Sequence, residues 1–359
     1  MSLKRHQKFW LEAEKKWTEK WFKFISSQDD CEWSEISKNP NLTLEFIENN
    51  PNYNWDWKGV SYNPNLTMEF IENNPEYDWD WLGISENPNI TMEIIKTYPE
   101  YDWNWYRVSK NPNITMEFIE EFIENHLEYN WGWFYISKHS NVTIEFIEAN
   151  PEYHWDWYAV SSNPNLTIEF IEAHPEYPWD WDKLSSNPNI TIEFIKSHPE
   201  YPWNWCTVSY NPNITMEFIE NNPGYNWSWD MVLINPNLTM EFIENHPEYK
   251  WNWFWVSRNP NLTMEFIKNN HHYSWNWNMI SKNPNFTIEF IENNPDYKWN
   301  FYWVSENKFT KNKELFMIEE ARKYMAVYKI KKWWKEIYYS PNTNVGKRRL
   351  KNSYNDLFE

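Results

Sequence analysis

Glutamates that could act as acids or bases recur at fixed intervals along this chain of 359 residues. Glu69, Glu93 and Glu117, for example, hold the same place in successive repeated segments. Two carboxyl groups about 5–9 Å apart, in different surroundings, can cleave a glycosidic bond. Because these glutamates have nearly identical surroundings, we interpret them as a solvated ladder that supports helix starts, and not as an acid–base pair.

Histidine is the next residue type that could carry chemistry. His174, His198 and His246 each precede a proline, where other segments carry Asn. Equivalent positions of stacked segments lie about 10 Å apart, which is too far for ligands of one metal ion. The sequence also has no Cys/His ligand spacing, Gly-rich phosphate loop or nucleophile elbow. We therefore predict a protein that is not an enzyme and binds no metal or cofactor.

Tryptophan dominates the composition, with 29 residues, and 20 % of the chain is aromatic. A Trp-x-Trp pair occurs ten times, as in Trp55/Trp57. Helical residues i and i+2 point about 200° apart, so we place the second Trp in the core beside the aliphatic residue three positions later, such as Val60. The first Trp either packs against the helix of an adjacent segment, which we favour, or forms an exposed ladder for sugars, bases or a peptide.

A 24-residue repeat positions these side chains. Its opening phrase is Asn-Pro-Asn or a relic of it, and every spacing is 24 except one of 28; the repeats begin at Asn39, Asn63, Asn87, Asn111, His139, Asn163, Asn187, Asn211, Asn235, Asn259, Asn283 and Asn307.

The sequence of each unit predicts two short helices. Asn65 or Thr67 can cap the first helix, Pro75 stops it, and the second runs from about Trp79 to Ser85. Helices this short are stable only when neighbouring units bury their faces. We predict an all-α, elongated α-solenoid of about eleven 24-residue two-helix repeats with helical N- and C-terminal caps.

The domain organisation follows from the repeat. We predict an amphipathic N-terminal cap helix in 1–30, a helical repeat solenoid in 31–307 and a basic C-terminal helix and tail in 308–359. The 28-residue unit, 111–138, duplicates the block Glu117–Glu120 as Glu121–Glu124. Four residues are close to one helical turn, so we expect a longer first helix and a local bulge or change of curvature near the middle of the stack.

Charge separates the body from the tail. The chain has a net charge of −19, and 31–307 holds 13 Lys and Arg against 41 Asp and Glu. This acidity argues against phosphate binding by the body. Nucleic acid is expected only at a basic tail formed by Lys331, Lys332, Lys335, Lys347, Arg348 and Arg349.

The tail helix has several possible roles. It could bind a calmodulin-like groove, an anionic surface or nucleic acid. We favour a cap in which Met325, Trp333 and Ile337 cover the last repeat. No apolar run is long enough for a membrane span, and no apolar leader opens the sequence. We expect an intracellular protein, in host cytoplasm or a virion, that is not secreted.

Two residues after each Trp pair vary while their surroundings repeat, and so does the residue before Asn-Pro, as in Tyr62 and Glu86. A constant scaffold with one variable stripe is how solenoids recognise partners, although a relaxed solvent-exposed stripe is the alternative. Because aromatic and Arg side chains dominate interface energies, we predict a protein partner. The candidate residues are Tyr106, Arg107, Phe134, Tyr135, Tyr158, Phe254, Trp255, Tyr302 and Trp303. Nucleic-acid binding by the repeats and carbohydrate binding by a Trp ladder stay as alternatives.

The 24-residue period, the Asn-Pro-Asn junction and a short helix such as Thr67–Glu72 resemble the leucine-rich repeat variant family. That resemblance implies an α-helix and a 3₁₀-helix per repeat, stacked into a right-handed superhelix. With Tyr77 and the Trp pair, the unit is more similar to uncharacterised repeat proteins of large nucleocytoplasmic DNA viruses of protists, as is the segment Tyr328–Lys335. This second resemblance implies a viral protein and no particular activity.

Overall fold

The computed structural model describes residues 3–28, 30–340, 343, 345 and 347–348, and all regular secondary structure in this part of the chain is helical. Helix α1 spans Leu3–Ser26 and helix α25 spans Thr310–Tyr339. Between them, each unit contributes a helix A after Asn-Pro-Asn and a helix B that begins at or next to the second Trp. This confirms the predicted all-α solenoid of two-helix repeats.

Helices A carry odd numbers and are α3 Leu44–Asn49, α5 Met68–Asn73, α7 Met92–Thr97, α9 Met116–Phe118, α11 Ile144–Ala149, α13 Ile168–Ala173, α15 Ile192–Ser197, α17 Met216–Asn221, α19 Met240–Asn245, α21 Met264–Asn269 and α23 Ile288–Glu292. Helices B carry even numbers and are α2 Trp33–Lys38, α4 Trp57–Ser61, α6 Trp81–Ser85, α8 Trp105–Val108, α10 Trp133–Ser137, α12 Trp157–Val160, α14 Trp181–Ser186, α16 Trp205–Val208, α18 Trp229–Val232, α20 Trp253–Val256, α22 Trp277–Lys282 and α24 Phe301–Glu306.

Side-chain caps set where the helices begin. Thr67 precedes α5, and its hydroxyl accepts a hydrogen bond from the backbone N–H of Phe70 at 3.3 Å. Asp80 precedes α6 and accepts one from Leu82 N–H at 2.9 Å. An oxygen at the N-cap satisfies a free N–H of the first turn. Helix B therefore begins two residues later than predicted, and the first Trp of the pair lies outside it.

The junction asparagines join neighbouring units. Asn63 Nδ2 donates to the carbonyl oxygens of Ser37 at 2.9 Å and Asn39 at 3.1 Å, both in the preceding unit. Asn65 Nδ2 reaches Pro40 O at 3.0 Å, so Asn65 links units instead of capping a helix as predicted. Buried carbonyl groups need such partners, which explains why the junction phrase recurs.

The two ends of the repeat array meet, so the solenoid closes into a ring. Asn39 Nδ2 donates to Ser305 O at 2.8 Å and to Asn307 O at 3.1 Å, and Asn41 Nδ2 donates to Lys308 O at 2.9 Å. These are the bonds that join any two neighbouring units, here made between the first junction and the last. The expectation of an elongated molecule was wrong, because the turn between units adds up to a closed circle.

Helix α1 completes the ring. Lys15 forms an ion pair with Glu45 of α3, and Lys20 forms one with Glu289 of α23. Trp17 Nε1 also donates to Asn41 Oδ1 at 2.8 Å. Helix α1 thus fills the place of a helix A between α23 and α3, and α2 supplies its helix B. Eleven continuous units and this composite twelfth unit make the circle.

Helix α25 packs on α1 through its first half. The rings of Trp17 and Phe316 lie 5.5 Å apart, and Lys16 Nζ lies 2.6 Å from a carboxylate oxygen of Glu320. The two terminal helices are confirmed, and they contact each other where the ring closes.

Helices B form the inner layer of the ring. Neighbouring helices B approach more closely than neighbouring helices A. At Gly59 of α4, a Cβ atom would lie only 2.7 Å from Ser34 O of α2. Twelve helices spaced by about 8–10 Å surround an opening roughly 20–30 Å across, once a helix diameter of about 10 Å is subtracted. The variable residues lie on this inner layer.

The 28-residue unit confirms the lengthened first helix and its bulge. After α9 the chain continues as a π-helical turn, Ile119–Ile123, and a 3₁₀ turn, Glu124–His126. Phe118, Ile119 and Ile123 stay buried. Four inserted residues exceed one α-helical turn of 3.6, and a wider π turn accommodates the excess.

The second half of α25 was expected to cover the last repeat, but it does not. Trp333 is 58 % exposed, and Met325 is also exposed. The first half occupies the available face of α1, so these residues lie beyond it. None of the helices in the described ranges is long and apolar enough to cross a membrane.

Candidate functional site

The first Trp is buried in eight of the ten pairs and half-buried at Trp79 and Trp227, so these indoles form no exposed ladder. Trp55 is only 7 % exposed, and the Nε1 of Trp79 donates to Asn74 O at 2.9 Å, at the end of α5. The indole therefore satisfies a carbonyl that the helix leaves free. The favoured packing interpretation is confirmed.

The second Trp is the less buried one, which reverses the predicted order. Trp57 is half-buried, and its ring stacks on Tyr77 of the next unit with centroids 3.5 Å apart. Trp253 and Tyr273 repeat this contact at 3.6 Å. The predicted order is wrong because the first Trp precedes the helix, so the two Trp residues do not share one helix.

The variable stripe consists of three positions per unit: the first and second variable residues after the Trp pair, and the junction residue before Asn-Pro. The first variable residue is exposed in ten of the twelve units. It is a large apolar or aromatic side chain, 40–46 % exposed, in five of them: Leu82, Tyr106, Tyr158, Phe254 and Tyr302. The second is more enclosed, as in Arg107, Tyr135, Trp255 and Trp303, and Ala159 is fully buried. The two positions thus differ, although the sequence treats them as a pair.

Second variable residues match the junction residue of the preceding unit. At Gly83, a Cβ atom would lie 2.7 Å from the ring of Tyr62, so only glycine leaves room for that ring. Arg107 Nη1 lies 3.0 Å from a carboxylate oxygen of Glu86. This hydrogen bond raises the pKa of Arg107, although burial opposes the shift. The size and charge of a second variable residue therefore depend on the junction residue of the preceding unit.

First variable residues contact the second variable residue of the following unit. Tyr106 donates a hydrogen bond to the hydroxyl of Tyr135 at 3.4 Å, and their rings lie 5.2 Å apart. That bond raises the pKa of Tyr106 and lowers that of Tyr135, which Lys110 lowers further. Across the ring closure, Tyr302 donates to Glu35 at 3.2 Å in the same manner. Stripe residues of neighbouring units therefore contact each other both within the array and across the ring closure.

Aromatic and cationic side chains alternate along one part of the stripe. The rings of Phe134 and Tyr158 lie 6.1 Å apart. Lys138 Nζ is 4.4 Å from the ring centroid of Phe134, and Lys183 Nζ is 4.6 Å from that of Tyr158. A cation above a ring face is attracted by its quadrupole. This part of the stripe is ordered by its own contacts.

A second aromatic part lies close to the ring closure. The rings of Phe254 and Trp255 meet edge to face at 5.2 Å. Lys282 Nζ lies 4.6 Å from the ring of Trp303. A cavity of about 390 Å³ opens here, lined by Arg258, Pro260, Met279, Lys282, Asn283, Pro284 and Trp303. The candidate residues thus fall into two groups, with Cys206, Thr207 and Asp230 among the variable residues between them.

Charge is segregated between the stripe and the rest of the repeats. The stripe holds eight of the thirteen Lys and Arg in 31–307 but only five of the forty-one acidic residues, so it carries a net charge of +3. The acidic majority lies on helices A, on the loops and at the caps. The net charge of 31–307 as a whole hides this positive stripe. Lys138 and Lys282 were therefore not among the candidate residues.

The remaining candidates lie elsewhere. His174 and His246 contact glutamates of their own and the preceding unit, such as Glu176 at 3.2 Å and Glu220 at 3.1 Å. Within the described residues no group of three His, Cys, Asp or Glu could hold a metal ion. Of the basic tail, Lys331, Lys332, Lys335, Lys347 and Arg348 are exposed, and Arg349 lies outside the described residues.

Comparison of the chain with protein-family models, with curated proteins and with solved structures gives no match. The stripe is therefore interpreted from its own geometry.

Proposed function

We propose that the protein is a non-enzymatic repeat scaffold that binds a protein partner through the variable stripe. The observation that carries this proposal is the set of exposed aromatic side chains that helices B, the constant inner layer, present at the first variable position, as at Tyr106, Tyr158 and Phe254. Aromatic and Arg side chains supply most of the binding energy at protein interfaces. The glutamate ladder, repeated in equal surroundings, supports a scaffold over an enzyme. The viral origin and intracellular location implied by the resemblance stay predictions.

Nucleic-acid binding is a second candidate because the stripe is positive. Neutralised phosphates give such binding a steep dependence on salt. Carbohydrate binding by a Trp ladder has less support, since the first indoles are buried and the second stack on tyrosines, as Trp57 does on Tyr77.

The proposal is tested by affinity capture on the immobilised protein. We expect partner proteins to be retained by the wild type and lost when Tyr106, Tyr158 and Phe254 are together replaced by Ser. The matched control replaces Leu11 and Leu127, which are exposed apolar residues outside the stripe. Capture of the same proteins by all three versions, or of none, would contradict the proposal. Equal melting temperatures of the three versions show that the fold is kept.

A further inference from the structure

Lys138 and Lys183 are stripe cations that form no ion pair with a carboxylate of the described residues. Each lies over an aromatic ring, and in the described part of the chain no carboxylate oxygen lies within 4 Å of either Nζ. Arg258, over the ring of Trp255 at 5.8 Å, is in the same situation.

Other stripe cations are neutralised. Arg107 and Lys110 share Glu86, Lys282 pairs with Glu306 at 2.8 Å, and Lys38 pairs with Glu35 at 2.6 Å. The positive charge that remains available is therefore concentrated where Lys138 and Lys183 meet the aromatic pair.

The four side chains make a compact unit. Phe134 and Tyr158 stack, with the two lysines over their rings. A cation–π contact at an exposed site contributes only about 0.5–1 kcal/mol and leaves an ammonium group with donors to spare. A hydrogen bond with the Tyr158 hydroxyl raises the pKa of Lys183, although burial opposes the shift. Each ammonium group has three donors, so the contacts place the lysines and leave donors for a ligand.

We propose that this cation–aromatic cluster, formed by Phe134, Lys138, Tyr158 and Lys183, binds acidic side chains of the partner protein. The inference rests on the proposed function and specifies the chemistry of the partner. Carboxylates of the partner accept hydrogen bonds from the two ammonium groups, while its apolar atoms cover the exposed edges of the rings.

An acidic peptide segment fits the cluster better than a nucleic acid does. Single-stranded nucleic acids stack their bases on aromatic faces, but lysines already cover the faces of Phe134 and Tyr158. A phosphate backbone also carries one charge per nucleotide, and it would have to cross the acidic surroundings of the stripe. A peptide can confine its carboxylates to the cluster.

The net charge of −19 does not prevent this contact. At physiological ionic strength charges are screened beyond about 8 Å, so the groups beside the bound carboxylate dominate.

The experiment measures binding of three fluorescein-labelled probes of equal length by anisotropy: a Glu-rich peptide, its Gln-substituted counterpart and oligo-dT. We expect the Glu-rich peptide to bind most tightly. The double substitution Lys138→Gln and Lys183→Gln should weaken its binding at least tenfold, as for close charge pairs at an interface.

The matched control substitutes Lys196 and Lys268 by Gln. These lysines lie on helices A over Phe218 at 4.8 Å and Phe290 at 5.3 Å, so they lose the same charge and the same kind of contact outside the stripe. We expect this control to change the affinity less than twofold.

The proposal would be overturned if both double variants weakened binding of the Glu-rich peptide equally. It would also be overturned if oligo-dT bound more tightly than that peptide, or if the Gln-substituted peptide bound as tightly. If the aromatic variant of the capture experiment loses its partners while the Glu-rich peptide fails to bind, only the acidic class is wrong. If capture survives the aromatic variant, the proposed function itself has failed.

Discussion

Asn39 donates a hydrogen bond to the carbonyl oxygen of Ser305, 266 positions later in the chain, at 2.8 Å. Asn63 makes the corresponding bond to Ser37 of the adjacent unit at 2.9 Å. The contact between the ends of the array therefore has the same form as the contacts inside it. This equivalence makes the ring testable, because the same substitution can be placed at the closure or within the continuous chain.

Replacing Asn39 by Ala should open the ring. Two buried carbonyl groups lose their partner, and an unsatisfied buried acceptor costs about 1–3 kcal/mol. Opening is measured by cross-linking Lys20→Cys to Glu289→Cys with a short bismaleimide, in a background without Cys31 and Cys206. The wild-type closure should cross-link efficiently, and the Asn39→Ala form should not.

The control for this prediction is Asn163→Ala, which removes the same kind of bond to Ser137 opposite the closure. It should lower the stability by a similar amount and leave cross-linking unchanged. Absence of the cross-link in the unsubstituted ring would show that the ends do not meet.

Low pH should weaken the closure before it unfolds the units. Burial would raise the pKa of Glu289, but the hydrogen bond from Lys20 lowers it overall, and hydrogen bonds from Lys16 and Lys323 lower that of Glu320. A carboxylate with a lowered pKa contributes stability above its unfolded pKa of about 4.3, and this is lost as pH falls through the folded value. The radius of gyration of the wild-type protein, measured by small-angle X-ray scattering, should therefore rise below about pH 4 while circular dichroism stays helical.

Glu320→Gln removes one of these titrating groups. Its radius of gyration should already be larger at neutral pH and should change less on acidification. An identical pH profile in the variant and the parent would contradict the assignment.

The first Trp of a pair should matter more for stability than the second. Trp155→Ala empties a buried volume and should cost about 3–5 kcal/mol, whereas Trp157→Ala, at a half-buried position, should cost less. Tyr158→Ser should cost within about 0.5 kcal/mol, as at an ordinary surface site. Urea unfolding, monitored by far-UV circular dichroism, measures the free energy of unfolding of the three variants. A larger loss for Trp157 than for Trp155 would reverse the order that burial predicts.

Gly83 and Tyr62 should behave as a coupled pair. Gly83→Ala places a methyl group against the Tyr62 ring and should destabilise by about 1–3 kcal/mol, as overpacking does. Tyr62→Ser makes room, so the double variant should recover most of that loss. A double-mutant cycle measures the coupling, and additive effects would show that the stripe residues are chosen independently.

Local rules predicted the repeat well, but they did not predict the ring. The short helices, Thr67 as a cap and the lengthened helix after Phe118 follow from spacing and capping chemistry. The predicted order of burial within the Trp pair was wrong because a cap at Asp56 leaves Trp55 outside the helix. Closure depends on a small rotation per unit, which no single unit encodes visibly. The positive stripe was missed because the charge of the body was summed as a whole, and the contacts of Lys138 with Phe134 and of Lys183 with Tyr158 form only in the folded units.

Closure also constrains how such a gene can change. Nearly identical tandem segments recombine readily, and an open solenoid can lengthen or shorten by whole units without penalty to its ends. Here each unit turns by about 30° to complete a circle of twelve, so an added or lost unit leaves the ends out of register. The insertion at Glu121–Glu124 lies within one unit and leaves their number unchanged. Insertions or deletions within a unit should thus be retained in this protein far more readily than the gain or loss of a whole unit.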